Sequence, residues 1–408
     1  MKRVVIIGAG PAGITVAETL RGLDPEVRLT MVSAEPYPPY SPPALADHFL
    51  TGQAELLFWK GRDVCDRLGV SYRSGVRVAE VEPDRQRLTL DDGGVLYFDG
   101  LVIASGSRLH APVEGSERAG VHDFKSLRAA TALVERVRRG EARSALIVGA
   151  GFIGMEIGLL LADLGVAVTM LERLGWVMPR MLDAETAEIA VAAMRARAVD
   201  VRLGIAVEAF VGEPEVSGVQ LVGGEVMAAD LCIAATGVKP NVDFLAGTGI
   251  DVGWGIRVDD HLRTSVPWIW AAGDAVEAPD RLTGEPYVHA ILPNAVEQGR
   301  VVGFNLAGQD VAYDGAERMN SLKHLGLPIV AVGAEVGAVE LRWRRGTALR
   351  KVFLDDGRIV GFRLAGDISV AGVLRSLMLR RVDVRRFAGR LVDPRFGEAD
   401  LIARALPS

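Results

Sequence analysis

The feature that most constrains this chain is a glycine-rich turn that occurs twice, each time directly after a short apolar run. Residues 4–7 (VVII) lead into residues 8–13 (GAGPAG), and residues 146–148 (LIV) lead into residues 149–154 (GAGFIG). Short apolar runs rich in β-branched residues are typical of buried parallel strands. A G-x-G-x-x-G turn between such a strand and a helical segment is the dinucleotide-binding pattern.

Each glycine of the pattern has a physical reason. The first permits a tight turn, the second lets the backbone approach a pyrophosphate, and the third allows the helix to pack closely on the strand. The phosphates then lie at a helix N-terminus, which favours an anion. Glycine-rich turns also occur without a ligand, but two turns of the same spacing predict two dinucleotides. The predicted cofactor-binding residues are Gly8, Gly10, Pro11, Ala12 and Gly13 in the first turn, and Gly149, Gly151, Phe152, Ile153 and Gly154 in the second.

A second apolar run follows each turn and leads to a glutamate. Residues 27–32 precede Glu35, and residues 166–171 precede Glu172. A carboxylate at this place in the pattern accepts hydrogen bonds from an adenosine ribose. The sequence therefore predicts one ribose-binding carboxylate for each dinucleotide.

Further apolar runs end in small-residue turns, which is where α/β sheets hold ligands. They are Ala104-Ser105-Gly106, Ala235-Thr236-Gly237 and Gly273-Asp274. The Asp274 carboxylate suits a hydrogen bond to a sugar-like hydroxyl chain. A helix opening at residues 293–300 and ending near Leu306 would place N-terminal N–H groups where negative charge develops on a reduced ring.

The order of these motifs predicts an α/β fold in which one nucleotide domain is inserted into another. At 408 residues the chain is too long for a single ordinary core. We expect one discontinuous Rossmann-like domain at residues 1–112 and 235–319, a second at residues 113–234, and a smaller C-terminal α+β domain at residues 320–408.

Charge and cysteine content narrow the possible functions. Residues 320–408 hold 16 Lys and Arg against 9 Asp and Glu, a net charge of +7 within a chain of net charge −6. This excess indicates either a surface that steers an acidic partner or a solvated arginine-rich face. Cys65 and Cys232 are far apart and show no redox or ligand spacing, so we expect small buried side chains and no metal site. No membrane span or signal peptide is expected, which predicts a cytoplasmic protein.

Taken together, the six motifs resemble those of the flavoprotein pyridine-nucleotide oxidoreductases, over residues 1–320. Within that superfamily the chain looks closest to rubredoxin and ferredoxin reductases, NADH oxidases and nitrite-reductase flavin modules. The resemblance implies FAD in the first domain and NAD(P)H in the inserted one. It also implies a C-terminal domain that closes the flavin cavity or contacts partners.

The resemblance assigns roles to single residues. Glu35 and the first turn would hold the ADP half of FAD, and Gly273 and Asp274 would contact its pyrophosphate and ribitol. The helix start at Gln298 would face the flavin pyrimidine edge. Glu172 and the second turn would hold NADH, because a carboxylate repels a 2′-phosphate, while the adjacent Arg173 leaves NADPH open. Glu156 would be the catalytic residue, positioned toward nicotinamide and flavin. The predicted cofactor-binding set is completed by Val78, Ser105, Gly106 and Gly237.

Two departures from the family pattern matter. Relatives with thiol chemistry carry a cysteine in or just after the segment matching residues 41–45, and none is present here. Ferredoxin reductases of the oxygenase type usually show an arginine and a lysine near the positions of Pro42 and Asp47, and both are absent. The first departure disfavours disulfide and peroxide reduction, and the second weakens the assignment to that branch.

We therefore expect hydride transfer between nicotinamide and flavin, followed by single-electron transfer to an iron–sulfur protein or rubredoxin-type carrier. One alternative is a flavin and NAD electron-transfer subunit of a larger complex, such as a 2-oxoacid oxidoreductase. Another is an NADH-sensing flavoprotein whose output is dimerisation. A homodimer is possible in either case, and nucleic acid is not expected as a partner.

Overall fold

The computed structural model describes residues 2–397, and it divides the chain into two compact units. The first contains the chain up to His110, Asp123–Glu135 and Val238–Ala316, and the second contains Ala111–His122, Arg136–Gly237 and the chain from Glu317 onward. Most of the predicted inserted domain and the described part of the predicted C-terminal domain belong to the second unit. The three predicted domain boundaries stay a prediction, and residues 1 and 398–408 of those domains lie outside the described residues.

A helix follows each glycine turn, and another one ends at Leu306, as predicted. In chain order they are α1 Pro11–Leu23, α2 Leu45–Thr51, α3 Ala54–Leu57, α4 Val64–Arg67, α5 Leu127–Arg138, α6 Phe152–Asp163, α7 Ala184–Ala196, α8 Leu292–Leu306 and α9 Ala371–Leu379. Residues 56–68 do not form one helix, because α3 ends at Leu57 and α4 begins only at Val64. Gly61 lies between α3 and α4 with a φ of +83°, a left-handed conformation that is incompatible with one continuous helix.

The strands form several separate sheets. In chain order they are β1 Arg3–Ile7, β2 Arg28–Ser33, β3 Val70–Ser74, β4 Val78–Glu82, β5 Arg87–Leu90, β6 Val95–Tyr97, β7 Gly100–Ile103, β8 Ser107–His110, β9 Val121–His122, β10 Ser144–Val148, β11 Ala167–Glu172, β12 Val199–Leu203, β13 Val207–Val211, β14 Gly218–Leu221, β15 Val226–Ala228, β16 Leu231–Ala234, β17 Gly237–Pro240, β18 Ile256–Arg257, β19 Ile269–Ala271, β20 Val276–Pro279, β21 Pro286–Tyr287, β22 Met319–Leu322, β23 Ile329–Gly333, β24 Val339–Arg345, β25 Ala348–Asp355 and β26 Arg358–Ala365.

The first unit is built on a parallel sheet in the order β19-β7-β1-β2-β3. Its central strand β1 is buried over Val4–Ile7, as expected for a strand covered on both faces. Helices α1 and α8 pack on each other at small residues: a Cβ on Gly299 would lie 2.6 Å from the carbonyl oxygen of Ala12, and one on Gly303 would lie 2.6 Å from the Cβ of Thr19. This close crossing brings α8 to the turn that follows β1.

The second unit repeats the architecture and adds an antiparallel sheet. Its parallel sheet has the order β12-β11-β10-β16-β9, with β10 pairing β11 and β16 on its two sides. The antiparallel sheet has the order β22-β23-β26-β25-β24. Phe362 and Leu364 of that sheet share a buried core with Leu374 and Met378 of α9. The α/β fold class with two Rossmann-like units and a smaller C-terminal α+β region is confirmed.

A network of charged side chains joins α7 to the antiparallel sheet within the second unit. The buried ammonium group of Lys351 pairs with Asp183, and its Nζ lies 3.0 Å from Oε2 of Glu185. Arg342 and Arg344 also reach Glu185, with N–O distances of 2.5 and 2.8 Å. Part of the basic excess at the C-terminal end is therefore neutralised inside the chain.

Candidate functional site

The first glycine turn has the geometry that the pattern requires. Gly8 adopts a φ of +106°, and a Cβ at this position would overlap the carbonyl oxygen of Ala104, so a side chain cannot be accommodated. A Cβ on Gly13 would overlap the carbonyl oxygen of Gly8. Gly10 differs from both, because nothing lies within 4 Å of its Cβ position. The turn has no room for a side chain at Gly8 or Gly13. It has free space at Gly10, the glycine that a pyrophosphate would approach.

The open position coincides with the start of α1. Gly10 is the N-cap residue, its backbone is extended, and no side chain caps the helix. Pro11 takes the first helical position, where a missing N–H costs nothing. The first backbone N–H groups of a helix lack intrahelical partners and carry the positive end of the macrodipole. This end of α1 is therefore suited to an anion.

Gly273 and Gln298 are connected directly. The backbone N–H of Gly273 donates to the Oε1 atom of Gln298 over 2.7 Å, and a Cβ on Gly273 would lie 3.0 Å from the Cβ of Ala12. Helix α8 begins at Leu292, so Gln298 lies in its second turn and not at its start. Gln298 is buried, and its amide holds the Gly273 turn beside the first glycine turn.

Asp274 forms an ion pair with Lys125, a residue that no sequence motif indicates. Its Oδ2 atom accepts a hydrogen bond from Lys125 over 2.6 Å and another from Ser107 over 2.8 Å. Lys125 also donates to the Ser107 hydroxyl over 2.6 Å. Burial acts to raise the pKa of Asp274, but the charge and hydrogen bond of Lys125 and the hydrogen bond of Ser107 hold it below its usual value. Asp274 is therefore a carboxylate with a mostly buried ammonium group at its side.

The Ser105-Gly106 turn is fixed by Asn241. The Ser105 hydroxyl donates to the carbonyl oxygen of Asn241 over 2.7 Å, and the Asn241 amide donates back to the carbonyl oxygen of Ser105 over 3.0 Å. The backbone N–H of Asn241 donates to Gly106 over 2.9 Å. Nothing lies within 4 Å of a Cβ position on Gly106. The turn therefore has a rigid backbone and an open face at the carboxyl end of β7.

Glu35 is held in place by the segment that follows it and by the start of α5. Its Oε2 atom accepts from the Tyr40 hydroxyl over 2.5 Å, and its Oε1 atom accepts from the backbone N–H of Arg128 over 3.1 Å. The Tyr40 oxygen in turn accepts from the backbone N–H of Leu127 over 2.9 Å. Burial and the nearby Glu35 charge raise the pKa of Tyr40, which keeps its hydroxyl protonated. Each carboxylate oxygen retains lone pairs for a ribose hydroxyl.

The second glycine turn reproduces the first one. Gly149 adopts a φ of +104°, and a Cβ there would lie 2.6 Å from the carbonyl oxygen of Ala235. At Gly151 the nearest atom to a Cβ would be 3.8 Å away. Gly151 is the N-cap of α6, its backbone is extended, and no side chain caps the helix. The same open, uncapped helix start is present in both units.

Glu172 is buried and fully oriented by the backbone around it. Its Oε2 atom accepts from the backbone N–H of Ala150, inside the second glycine turn, over 3.0 Å. Its Oε1 atom accepts from the backbone N–H of Leu174 over 2.9 Å. The carboxylate therefore lies directly beside the glycine turn, where a ribose carrying the bound pyrophosphate would be placed.

The other predicted site residues lie on several different helices and strands. Phe152 and Ile153 are the first two residues of α6, and Glu156, half-buried, follows one turn later. Gly237 is the first residue of β17, just beyond β16. Val78 begins β4 in a three-stranded sheet, outside the parallel sheet that carries the other residues of the first site.

Both cysteines are buried and free of disulfide bonds. Cys65 lies in α4 and Cys232 in β16. Burial raises the pKa of each thiol to about 11. Both side chains are therefore protonated at neutral pH and unsuited to thiolate chemistry.

Comparison with known proteins decides what the two turns belong to. The family model for pyridine nucleotide-disulphide oxidoreductases matches residues 2–299. The chain belongs to this family. This membership confirms the predicted cofactors, FAD and NAD(H) or NADP(H), and the predicted oxidoreductase function.

Two relatives and one solved structure describe its place in the pyridine nucleotide-disulphide oxidoreductase family. Subunit epsilon of the NADH-dependent phenylglyoxylate dehydrogenase of Aromatoleum evansii is 31% identical over 403 residues, which is 96% of this chain and 94% of that protein. The ferredoxin–NAD(+) reductase component of the anthranilate 1,2-dioxygenase system of Burkholderia cepacia is 34% identical over 316 residues, 76% of each protein. The covalent putidaredoxin reductase–putidaredoxin complex matches with a TM-score of 0.86 and 26% identity over 99% of both chains.

The structure adds three residues to the first site that no sequence motif indicates. Lys125, Ser107 and Asn241 hydrogen-bond to the turns of that site, yet none of them belongs to a glycine motif. Lys125 lies two residues before α5, in a segment without recognisable periodicity. A lone lysine just before a helix carries no signal in the sequence that distinguishes it from a surface residue.

Within the described residues, no helix is both long and apolar enough to cross a bilayer. The predicted cytoplasmic location stays a prediction.

Proposed function

We propose that this protein is an NADH-dependent FAD oxidoreductase that exchanges electrons with an iron–sulfur or rubredoxin-type protein. The observation that carries the proposal is the repeated helix start, open over Gly10 in one unit and over Gly151 in the other and uncapped in both. When bound, FAD exchanges a hydride with the nicotinamide and single electrons with a protein carrier.

The first unit supplies the residues for FAD. The start of α1 would bind the pyrophosphate, and Glu35 would accept hydrogen bonds from the adenosine ribose. Lys125 would offer the phosphates a positive charge and at the same time keep Asp274 ionised as an acceptor for the ribitol hydroxyls. Gln298 would contribute indirectly, because its side-chain oxygen accepts a hydrogen bond from the backbone N–H of Gly273 and so fixes that turn.

The second unit supplies the residues for the nicotinamide cofactor. The start of α6 would bind the pyrophosphate, and Glu172 would accept the hydroxyls of the ribose. Glu172 is buried and aimed by two backbone N–H groups, so it cannot swing away from a 2′-phosphate. This rigidity supports NADH over NADPH. Glu156, one turn into α6, would position the nicotinamide.

Two observations support a protein as the other electron partner. Cys65 and Cys232 are buried thiols, which leaves no sulfur relay for a disulfide or peroxide substrate. In addition, one relative is named as a ferredoxin–NAD(+) reductase component, and one structural match is a reductase in complex with putidaredoxin. The basic C-terminal region, with a net charge of +7 over residues 320–408, would attract an acidic carrier electrostatically.

A second candidate has its own support. The relative from Aromatoleum evansii is a subunit of an NADH-dependent dehydrogenase and matches this chain over nearly the full length of both. In this case the chain would pass electrons from partner subunits to NAD⁺ as part of a larger complex. Size-exclusion chromatography of the protein purified from its native cells separates the two cases, because only the complex co-elutes with iron–sulfur subunits.

Anaerobic titration of the purified protein with NADH tests what both candidate functions require, a bound FAD that exchanges electrons with NADH. One equivalent of NADH should bleach the flavin absorbance, NADPH should do so much more slowly, and a rubredoxin or ferredoxin should restore the oxidised spectrum. A protein that retains no FAD, or whose flavin stays oxidised with both nucleotides, would refute the proposal.

A further inference from the structure

Helix α8 carries three buried amide side chains on one face. Asn294, Gln298 and Asn305 are 4%, 3% and 5% exposed, and their separations of four and seven residues place them along one side of the helix. A buried amide needs hydrogen-bond partners. Gln298 accepts from the backbone N–H of Gly273 over 2.7 Å, and Asn305 donates to the carbonyl oxygen of Val311 over 2.9 Å. These two amides therefore fix two loops against α8.

The third amide, that of Asn294, contacts the segment just before the helix. Its Nδ2 atom donates to the carbonyl oxygen of His289 over 3.5 Å. The same oxygen accepts from the backbone N–H of Ile291, the N-cap residue of α8, over 2.9 Å. One carbonyl group therefore binds both the N-cap and the first buried amide, so the place of His289 determines where α8 begins.

The side chain of His289 is paired with a buried carboxylate. Its Nε2 atom lies 3.2 Å from Oδ2 of Asp280, and the two side chains are 7% and 1% exposed. The other carboxylate oxygen accepts from the backbone N–H groups of Leu282 and Thr283 over 2.9 and 3.0 Å. Tyr287 lies edge-on to the imidazole, with 4.9 Å between the ring centroids. A buried charge is costly without a partner, so this pair ties the segment before α8 firmly to the hairpin of β20 and β21.

We infer that His289 is a positioning residue for FAD, which fixes the start of α8 through its pair with Asp280. The inference rests on the proposed function, in which the first unit binds FAD. Helix α8 contributes to that unit because Gln298 fixes the Gly273 turn and because α8 packs closely on α1. A displaced helix start would loosen the Gly273 turn. It would also move the positive end of α8, which stabilises negative charge on a reduced ring.

Two substitutions of His289 should differ in FAD affinity. His289→Leu removes the partner of Asp280 and should raise the Kd of FAD by about tenfold in fluorescence titration of the FAD-free protein. His289→Gln should keep the Kd within about threefold, because a glutamine side chain offers Asp280 an N–H group from a similar position.

A double variant separates positioning from a general loss of stability. His289→Leu alone leaves the Asp280 carboxylate buried without its partner, whereas His289→Leu with Asp280→Asn leaves no unpaired charge. The asparagine oxygen still accepts from the Leu282 and Thr283 N–H groups. The double variant should therefore unfold in urea like the wild type, yet bind FAD about tenfold more weakly. The midpoint potential of its bound flavin should fall, with about threefold less reduced flavin at a fixed potential, the scale of one helix-dipole contact.

Arg281→Ala is the matched control, because Arg281 lies in the same hairpin and pairs with the exposed Asp314. It should keep the FAD affinity and the potential of the wild type. A double variant with the affinity and the potential of the wild type would overturn the inference, as would an equal loss of affinity in Arg281→Ala. The proposed function fails separately, if the wild type itself retains no FAD or if NADH leaves its flavin oxidised.

Discussion

The ammonium nitrogen of Lys125 lies 2.6 Å from the Oδ2 atom of Asp274, and the Ser107 hydroxyl bonds to both. These residues come from three separate parts of the chain, and all three belong to the first unit. A carboxylate next to a phosphate site would repel the ligand, and the lysine neutralises that negative charge. We therefore expect the pair to affect how tightly this unit binds FAD.

Lys125→Ala should weaken FAD binding by at least tenfold, because the variant leaves the Asp274 charge without its cation and removes a charge-assisted hydrogen bond. Fluorescence titration of the FAD-free protein measures the effect. Lys125→Arg should retain most of the affinity. Lys60→Ala is the control, since Lys60 is a half-buried lysine that pairs with Glu18 and not with Asp274. Equal FAD affinity in Lys125→Ala and Lys60→Ala would show that Lys125 has no part in binding.

Gly10→Ala and Gly22→Ala form a matched pair within α1 and its N-cap. Neither substitution meets an atom within 4 Å of the new Cβ, so neither should unfold the protein. Gly22→Ala should slightly raise the melting temperature, because alanine is the better helix residue by about 1 kcal/mol. Gly10→Ala should fold normally but lose FAD, since the methyl group enters the space for the pyrophosphate. Full FAD content in purified Gly10→Ala would contradict this placement.

Glu172→Ala should lower the preference for NADH over NADPH by about tenfold or more in kcat/KM, since it removes the ribose acceptor and the charge that repels a 2′-phosphate. Stopped-flow reduction of the flavin with each nucleotide gives the ratio. Glu208→Ala, an exposed glutamate of the same unit, is the control. An unchanged ratio in Glu172→Ala would mean that this carboxylate does not distinguish a 2′-hydroxyl from a 2′-phosphate.

The two cysteines should be chemically silent in the native protein. Because burial raises the pKa of Cys65 and Cys232 to about 11, almost no thiolate is present at pH 7.5. Mass spectrometry after incubation with iodoacetamide should show an unmodified native protein and two alkylated cysteines after denaturation. The double variant Cys65→Ser with Cys232→Ala should keep the rate of flavin reduction by NADH. Slower flavin reduction in a double variant that still folds would show that a thiol takes part in the mechanism.

Glu185 should make the stability of the protein depend on pH in the acid range. Hydrogen bonds from Arg342, followed by those from Arg344 and Lys351, lower the pKa of Glu185 below its usual value against the effect of burial. A carboxyl whose pKa is lower in the folded state adds stability above its unfolded pKa of about 4.3, and this stability is lost as the pH falls further.

Urea unfolding at pH 7, 5 and 3 tests this linkage. Wild type should be more stable than Glu185→Gln at pH 7 and at pH 5, and the difference should shrink at pH 3. Glu188→Gln on the exposed side of the same helix should follow the wild type at every pH. A difference that stays constant down to pH 3 would show that the charge of Glu185 is not what the network stabilises.

The sequence by itself determined the repeated strand, turn and helix around Gly8 and Gly149, because glycine spacing and apolar runs act over a few neighbouring residues. It also determined that both thiols would be inert, since neither has a partner at a redox spacing. The charge count of the C-terminal region gives its net charge but not the pairing of its side chains. It could not show that Arg342 and Arg344 bind Glu185.

Only the tertiary structure decided which side chains meet across long stretches of chain. Lys125 and Asp274 are 149 residues apart, and Gly273 is held by a glutamine that the sequence placed at a helix start. Neither pairing leaves a periodic signal, because each depends on how separate strands and helices pack. Local physics therefore explains where the two dinucleotide turns form, and packing explains which charges and amides surround them.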